Sequence, residues 1–537
     1  MAIAPSETVS EAACGDARAD AAMDGSEQSL SNHEVREATF RGVRWFGLTQ
    51  GFDQAISVLA AVVLARLVSP AEFGRLAIAI VVSEFALMFA NETIGTPLVQ
   101  RAGLTREHLE SATLLGLMLG VGMALLTLLV VPFVTTPLFG ARTSELFRLF
   151  APAFAVAGVS IVPQARLQRE LRFPRIGMAE FAGGLVSALV SVGLAIPGLG
   201  AKAYVLGVLA GQIVVMAGYI SAESFVWPRW HSKQMREILG FGVPASAAGF
   251  AGVWYRNIDY LILGVRLPAI GVGFYYRAFT IGVEYERRLS GIVARIAFPV
   301  FTRTEDSARR LALRLRIVRT NVVLVYPMLT LFIALAPTLM PWVFGARWAP
   351  AVLPAQILAV AGMASCVRNL TSPSVLAAGR PRAMFVFSLV ETVLYGATVW
   401  VAGAYGLTVV CICVSGFQVV SLVLAYTVLL HSAIGVPRTQ IFRDLGPALC
   451  ASAPMLAVTM AVRVSLSTEL PRPAVLVIAG LAGGTAYLLA LRALSGGAWD
   501  DVAMLIRRVA PFLPRRARSV PVSGAALAPA SAQRGSS

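Results

Sequence analysis

Fourteen apolar stretches, each long enough to cross a bilayer, occupy most of the chain between Arg44 and Leu494. A hydrocarbon core about 30 Å thick takes roughly 20 apolar residues of helix. Inside lipid every backbone polar group must be satisfied internally, and a single segment of this length achieves that as a helix. The chain is therefore expected to be an all-α integral membrane protein, with a function that membrane helices and short loops can perform. The spans are predicted at 43–66, 75–98, 112–136, 146–166, 176–196, 203–222, 241–264, 272–299, 320–341, 351–376, 383–402, 407–430, 446–464 and 474–494. The eighth is the most polar and needs protein or water around it rather than lipid.

Only 14% of the residues are charged and 57% are apolar, with a mean hydropathy of +0.72. Soluble domains carry about 25% charged residues. The net charge of +16 is almost all arginine, since Lys202 and Lys233 are the only lysines. On a soluble chain that excess would point to nucleic acid. Here it is explained by basic residues flanking membrane helices, so no nucleic-acid partner is expected. Cys14, Cys366, Cys411, Cys413 and Cys450 have neither metal-ligand spacing nor a disulfide pattern, and the four histidines fall in the tail or in loops. No metal site, cofactor or catalytic centre is expected, and the chain reads as a non-enzyme.

Residues 1–38 are polar and lack the basic start and apolar run of a signal peptide. They read as a disordered cytoplasmic tail, and 509–537, rich in Arg, Pro, Ser and Ala, as a second one. Counted along the chain, the even-numbered connections between spans hold 19 Lys plus Arg and the odd-numbered ones 5. The alternation persists to the end, so both termini and the even loops are expected on the cytoplasmic side. The odd, outer loops have about ten residues or fewer, too short for a catalytic domain.

A weak internal repeat is visible. Spans one and two meet at Ser69-Pro70-Ala71-Glu72-Phe73-Gly74, and spans seven and eight at Pro268-Ala269-Ile270-Gly271-Val272-Gly273. Each join is short and contains Pro, with a Gly followed five residues later by Ala, Gly74/Ala79 and Gly273/Ala278. The six-span offset predicts two parallel repeats related about an axis along the membrane normal.

Three motifs, Ser69-Pro70-Ala71-Glu72-Phe73-Gly74, Asn257-Ile258-Asp259 ahead of Gly273-Phe274-Tyr275-Tyr276-Arg277-Ala278, and Ala377-Ala378-Gly379-Arg380, carry a resemblance over roughly residues 38–500. There the chain resembles the polysaccharide transporter family, the Wzx-like O-antigen and exopolysaccharide flippases of the multidrug/oligosaccharidyl-lipid/polysaccharide (MOP) superfamily. The resemblance implies two six-helix bundles in a V around a central cavity, here 39–222 and 223–430, with two additional helices within 431–508. It further implies a cell inner membrane transporter in lipopolysaccharide or exopolysaccharide biosynthesis. Such a protein moves undecaprenyl-diphosphate-linked oligosaccharide to the outer leaflet, beside polysaccharide polymerase and export machinery. Cavity residues vary within the family, so none is transferred from it.

A charge at the bilayer centre costs about 2.5–3.5 kcal/mol on insertion scales, so each intramembrane charge needs a reason. On the eighth span Arg277, Glu284, Arg288 and Arg295 are spaced 7, 11 and 18 from the first. In an unbroken α-helix these offsets return to one stripe. Arg256 and Asp259 on span seven are one turn apart, and Arg368 with Asn369 lies on span ten. Guanidinium groups bind phosphate oxygens with two parallel hydrogen bonds, so Arg256, Arg277, Arg288 and Arg368 are candidate cavity residues for a diphosphate. The competing explanation is that Arg256/Asp259 and Glu284/Arg288 are internal ion pairs that fix packing, and that Arg295 snorkels to the interface. Asp53, Glu84, Asp259 and Glu284 are candidates for ion coupling, since desolvated carboxylates readily exchange protons. Trp254, Tyr255, Tyr260, Phe274, Tyr275 and Tyr276 read as an interfacial belt or a stacking surface for sugars. Two other functions fit the composition: a cation-coupled multidrug or metabolite exporter of the same architecture, which a basic cavity disfavours, and a membrane polysaccharide polymerase or ligase, which the short outer loops disfavour.

Overall fold

The computed structural model describes residues 51–494 apart from 53, 102, 303 and 305, together with residue 499. Asp53 and the tails predicted at 1–38 and 509–537 lie outside the described residues. Among the described residues the secondary structure is helical, with no strand.

The chain runs through α1 (Gln54–Leu67), α2 (Pro70–Gln100), α3 (Arg106–Leu129), α4 (Val131–Phe139), α5 (Ala141–Arg169), α6 (Phe173–Ala195) and α7 (Ala201–Ala222). Then come α8 (Ser232–Arg266), α9 (Ala269–Phe279), α10 (Tyr285–Thr302) and α11 (Ser307–Phe344). The last are α12 (Ala346–Ala377), α13 (Pro381–Tyr405), α14 (Leu407–Ile434), α15 (Gln440–Leu466) and α16 (Arg472–Leu494). Among the described residues the predicted spans fall on these helices, with 112–136 divided between α3 and α4 and 272–299 between α9 and α10, while 43–50 lies outside the described residues. Among the described residues eleven are long and apolar enough to cross a membrane, or twelve if α8, bent by 50°, is one span. The expected fourteen is not reached, for two physical reasons. α1 is described only from Gln54. The α9–α10 region carries Arg277, Glu284, Glu286, Arg287 and Arg288 within three turns, which puts it outside the apolar class.

The helices divide into two compact units. Of the described residues, the first takes those up to Glu284 with Ala336–Ala361 and Val386–Val420. The second takes Tyr285–Leu335, Gly362–Phe385 and Ser421 onward.

In the first unit, small residues let helices touch backbone to backbone, the usual device where lipid removes the hydrophobic drive between helices. α3 and α5 cross at Gly116 and Gly158. A Cβ at either would lie within 2.5 Å of the other's carbonyl oxygen. Ser69 N-caps α2 by accepting from the Glu72 N–H, and Pro70 starts the helix without wasting a donor. Further along α2, Pro97 has no N–H to give the Thr93 carbonyl. The helix widens there into a π turn, Asn91–Gly95. Gly242 of α8 closes on that carbonyl, and Thr93 Oγ1 hydrogen-bonds Ser246 Oγ at 2.6 Å.

In the second unit α15 and α16 pack closely, with Gly483 against Thr459. A buried ion pair, Arg314 Nη1 to Asp444 Oδ2 at 3.2 Å, ties α11 to α15. Asp444 also accepts from Tyr426 Oη at 2.5 Å and Gln440 Nε2 at 3.0 Å. Tyr426 comes from a π turn in α14, Ala425–Leu430, and its ring faces the Arg314 guanidinium at 5.0 Å. A buried pair survives only with such additional hydrogen bonds.

Candidate functional site

The two repeat joins meet each other. α2 and α9 cross in the first unit at Gly74 and Gly273. A Cβ on Gly74 would lie 1.8 Å from the Ala269 oxygen, and one on Gly273 1.8 Å from the Pro70 oxygen. The contact is reciprocal, as expected of corresponding segments around a two-fold axis. Around it further contacts gather at the same end of the unit. Trp348, fully buried, donates from Nε1 to the Ala65 carbonyl at 2.8 Å. Arg66 Nε donates to the Val343 carbonyl at 2.8 Å, and the Glu72 carboxylate accepts from the Ala201 N–H at 3.1 Å.

Arg277 belongs to this cluster. It is 3% exposed, and its guanidinium lies over the rings of Phe73, Phe344 and Trp348 at 4.9, 4.8 and 5.2 Å. Aromatic faces attract the cation, by up to about 2 kcal/mol each when desolvated. The single stripe expected on the eighth span is not formed. A π turn, Thr280–Glu284, separates Arg277 from the later charges. The extra residue in that turn shifts the phase, so an offset of seven no longer returns to the same face. Glu284 is half-buried, whereas Arg288 and Arg295 are exposed.

Span seven also divides its candidates. Arg256 is exposed, while Asp259 is fully buried. Asp259 accepts from Tyr275 Oη at 2.7 Å, Tyr395 Oη at 3.1 Å and the Tyr260 N–H at 2.9 Å, joining α8, α9 and α13. Tyr260 and Tyr275 are therefore core residues rather than an interfacial belt: both are buried, and the Tyr275 hydroxyl and the Tyr260 N–H serve a buried carboxylate. On the same helix Asn257 Nδ2 donates to Glu84 Oε2 at 3.0 Å, and Tyr255 Oη donates to Glu391 Oε1 at 3.0 Å. Carboxylates from α2 and α13 thus engage α8 on opposite sides, because Asn257 lies about 200° around the helix from Tyr255, whereas Asp259 falls on the Tyr255 side. Tyr395→Phe removes one donor to Asp259 and is expected to cost about 0.5–1.5 kcal/mol. The check is thermal unfolding in detergent; an unchanged midpoint would contradict the network.

The second unit holds Arg288 and Arg368 together with a residue the sequence reading passed over. Glu286 is fully buried on α10. It accepts from Ser290 Oγ at 2.6 Å and Ser365 Oγ at 2.5 Å. Asn321 Nδ2 donates to Ser290 Oγ at 3.1 Å and to the Cys366 carbonyl at 3.0 Å. Arg287 and the half-buried Arg368 lie close enough for their charges to act on Glu286. The available signal was the Glu286/Ser290 spacing of one helical turn, hidden by the denser run of arginines beside it.

Known proteins share both sequence and fold with this chain. It is 25% identical over 450 residues to the lipopolysaccharide biosynthesis protein WzxC of Escherichia coli strain K12, covering 81% of this chain and 90% of WzxC. Its fold matches the lipid II flippase MurJ in an inward closed conformation with a TM-score of 0.66 at 14% identity, covering 87% of this chain and 99% of that one. It also matches an inward-facing multidrug resistance MATE transporter of the MOP superfamily with a TM-score of 0.57 at 13% identity, covering 69% and 92%. The profile of one family, described as polysaccharide biosynthesis protein, matches residues 63–353, more than half of the 537, and the chain belongs to that family.

Proposed function

We propose that the protein is a flippase that carries undecaprenyl-diphosphate-linked oligosaccharide from the cytoplasmic to the periplasmic leaflet of the bacterial inner membrane by alternating access. The observation that carries this reading is the reciprocal crossing of the two repeat joins at Gly74 and Gly273. Two corresponding segments that meet at one end of their helices can part there without unravelling either repeat. In the orientation given by the basic loops, with both termini cytoplasmic, that end faces the periplasm. The seal around Trp348 and Arg277 then keeps it shut.

In this reading the bundles at 39–222 and 223–430 rock against each other, and the helices within 431–508 brace the second one through Arg314 and Asp444. Arg288 and Arg368 receive the diphosphate, with Arg256 a further contact, while the prenyl tail stays in lipid. Glu84, Asp259 and Glu284 are the ion-coupling residues, joined here by Glu286. The polysaccharide polymerase and the export machinery act on the product, and the flippase itself makes and breaks no covalent bond. WzxC, a lipopolysaccharide biosynthesis protein, and MurJ, a lipid II flippase, support the substrate class.

The fold likeness to a multidrug transporter favours a second reading, export of organic cations. The charges of α10 work against it: Arg287, Arg288 and Arg295 outnumber Glu286. Deletion of the gene separates the two. Loss of a surface polysaccharide, with its lipid-linked unit retained on the inner leaflet, is the expected result. Normal polysaccharide with new drug sensitivity would overturn the flippase reading.

A further inference from the structure

The first unit contains a cleft of about 260 Å³ between α2 and α5, at the helix ends that carry the basic connections 101–110 and 165–175, where the lining residue Thr96 donates to Glu92 Oε2 at 2.9 Å. Its polar lining is Asn91, Thr96, Gln100, Gln164 and Gln168, and no ionisable side chain lines it. None of the four amide side chains hydrogen-bonds to another described residue, although Gln164 and Gln168 are half-buried. Each therefore presents a free acceptor and a free NH₂ to the cleft.

Two local features build this surface. Gln164 and Gln168 are one helical turn apart on α5 and so share a face. On α2 the π turn does the same work. In a plain α-helix Asn91 and Thr96, five residues apart, point to different sides. The i→i+5 turn at Asn91–Gly95 brings Asn91, Thr96 and Gln100 to one side, and such turns recur at functional sites. Charges at the rim are engaged elsewhere. Arg169 Nη1 donates to the Leu98 and Arg101 carbonyls, and Arg101 pairs with Glu237 at 2.6 Å.

We propose that this amide-lined cleft is a subsite for an uncharged sugar ring of the lipid-linked oligosaccharide. The proposal rests on the flippase reading and adds to it a place where the sugar, rather than the diphosphate, is read. Sugar hydroxyls and N-acetyl groups each combine donor and acceptor, which side-chain amides match and arginines do not. The cleft is smaller than the roughly 300–1,000 Å³ of drug-sized sites, so it takes one ring or two and not a whole repeat unit. An uncharged lining favours neutral sugars over uronic acids, since nothing in it compensates a buried carboxylate.

The test is direct binding to the full-length protein in detergent. The probes are undecaprenyl diphosphate alone and undecaprenyl diphosphate carrying glucose, galactose, N-acetylglucosamine or glucuronic acid. Wild type should bind at least one neutral glycolipid at least tenfold more tightly than the bare lipid, and the glucuronyl lipid no better than the bare lipid. Gln164→Leu with Gln168→Leu should lose roughly tenfold or more of the affinity for that glycolipid. Binding of bare undecaprenyl diphosphate should stay unchanged in the variant, which also shows that it folds. Equal affinity of wild type for bare and glycosylated lipids, or equal glycolipid binding by wild type and variant, would overturn the subsite and leave the flippase reading standing. Loss of bare-lipid binding in the variant would also overturn it, because the two glutamines would then serve the diphosphate or the fold. Failure of wild type to bind any of the lipids would instead overturn the flippase reading.

Discussion

Alanine at Gly74 or at Gly273 is expected to hold open the end of the first unit where the two joins cross, and to stop export. The clash is with main-chain atoms, at 1.8 Å in both cases, so no rotamer change relieves it and the helices must separate by more than an ångström. Forcing a methyl group into a packed contact costs about 1–3 kcal/mol. If the crossing forms in the closed state and is absent from the open one, that cost falls on the closed state alone. The ratio of closed to open protein then drops roughly 5- to 150-fold. Val272, fully buried beside the crossing, reports the change. Placed as the only cysteine, Val272→Cys should react with a membrane-impermeant maleimide at least fivefold faster when Gly74→Ala is added. Unchanged labelling and normal export would mean that the crossing is packing and not a gate.

The second large effect is expected at Arg288 and Arg368. A hydrogen bond involving a charged group contributes about 1.5–3 kcal/mol, so each alanine should slow transport roughly tenfold to a hundredfold. Arg288 is exposed, so its loss should leave the amount of protein in the membrane unchanged. Arg288→Lys keeps the charge but not the paired donors, and should fall between wild type and alanine. Arg277→Ala should behave differently. Its guanidinium is enclosed by three rings, so its removal loosens the packing around the crossing, and the maleimide should again react faster at position 272. Wild-type export in Arg288→Ala combined with Arg368→Ala would remove both residues from the site.

Hydropathy located most helices among the described residues, because the bilayer imposes a length on each segment that neighbours cannot override. The repeat joins were legible too, since a close helix crossing leaves glycine as its trace at Gly74 and Gly273. What the chain did not disclose was phase. Three π turns, at Asn91–Gly95, Thr280–Glu284 and Ala425–Leu430, each add a residue that helical counting does not see. One of them separates Arg277 from Glu284 and Arg288 and breaks the expected stripe. Only the first has a visible cause, Pro97. Burial was the other hidden quantity. Arg256 and Asp259 look alike in sequence, yet one is exposed and the other sits among tyrosines, because the partners of Asp259 come from α9 and α13. Glu286 escaped notice for the same reason: Ser365 lies 79 residues away.

Guanidinium groups of the second unit are expected to carry a lipid diphosphate across the membrane, and transport in proteoliposomes reports whether they do. Purified protein is reconstituted with undecaprenyl-diphosphate-linked oligosaccharide, and the fraction reachable by an external glycosidase is followed in time. Exchange between leaflets should accelerate in proportion to the protein added, and should fall at least tenfold with Arg288→Ala and Arg368→Ala combined. Leaflet exchange no faster than in protein-free vesicles, alongside uptake of an organic cation by the same vesicles, would mean that the protein is a cation exporter and not a flippase.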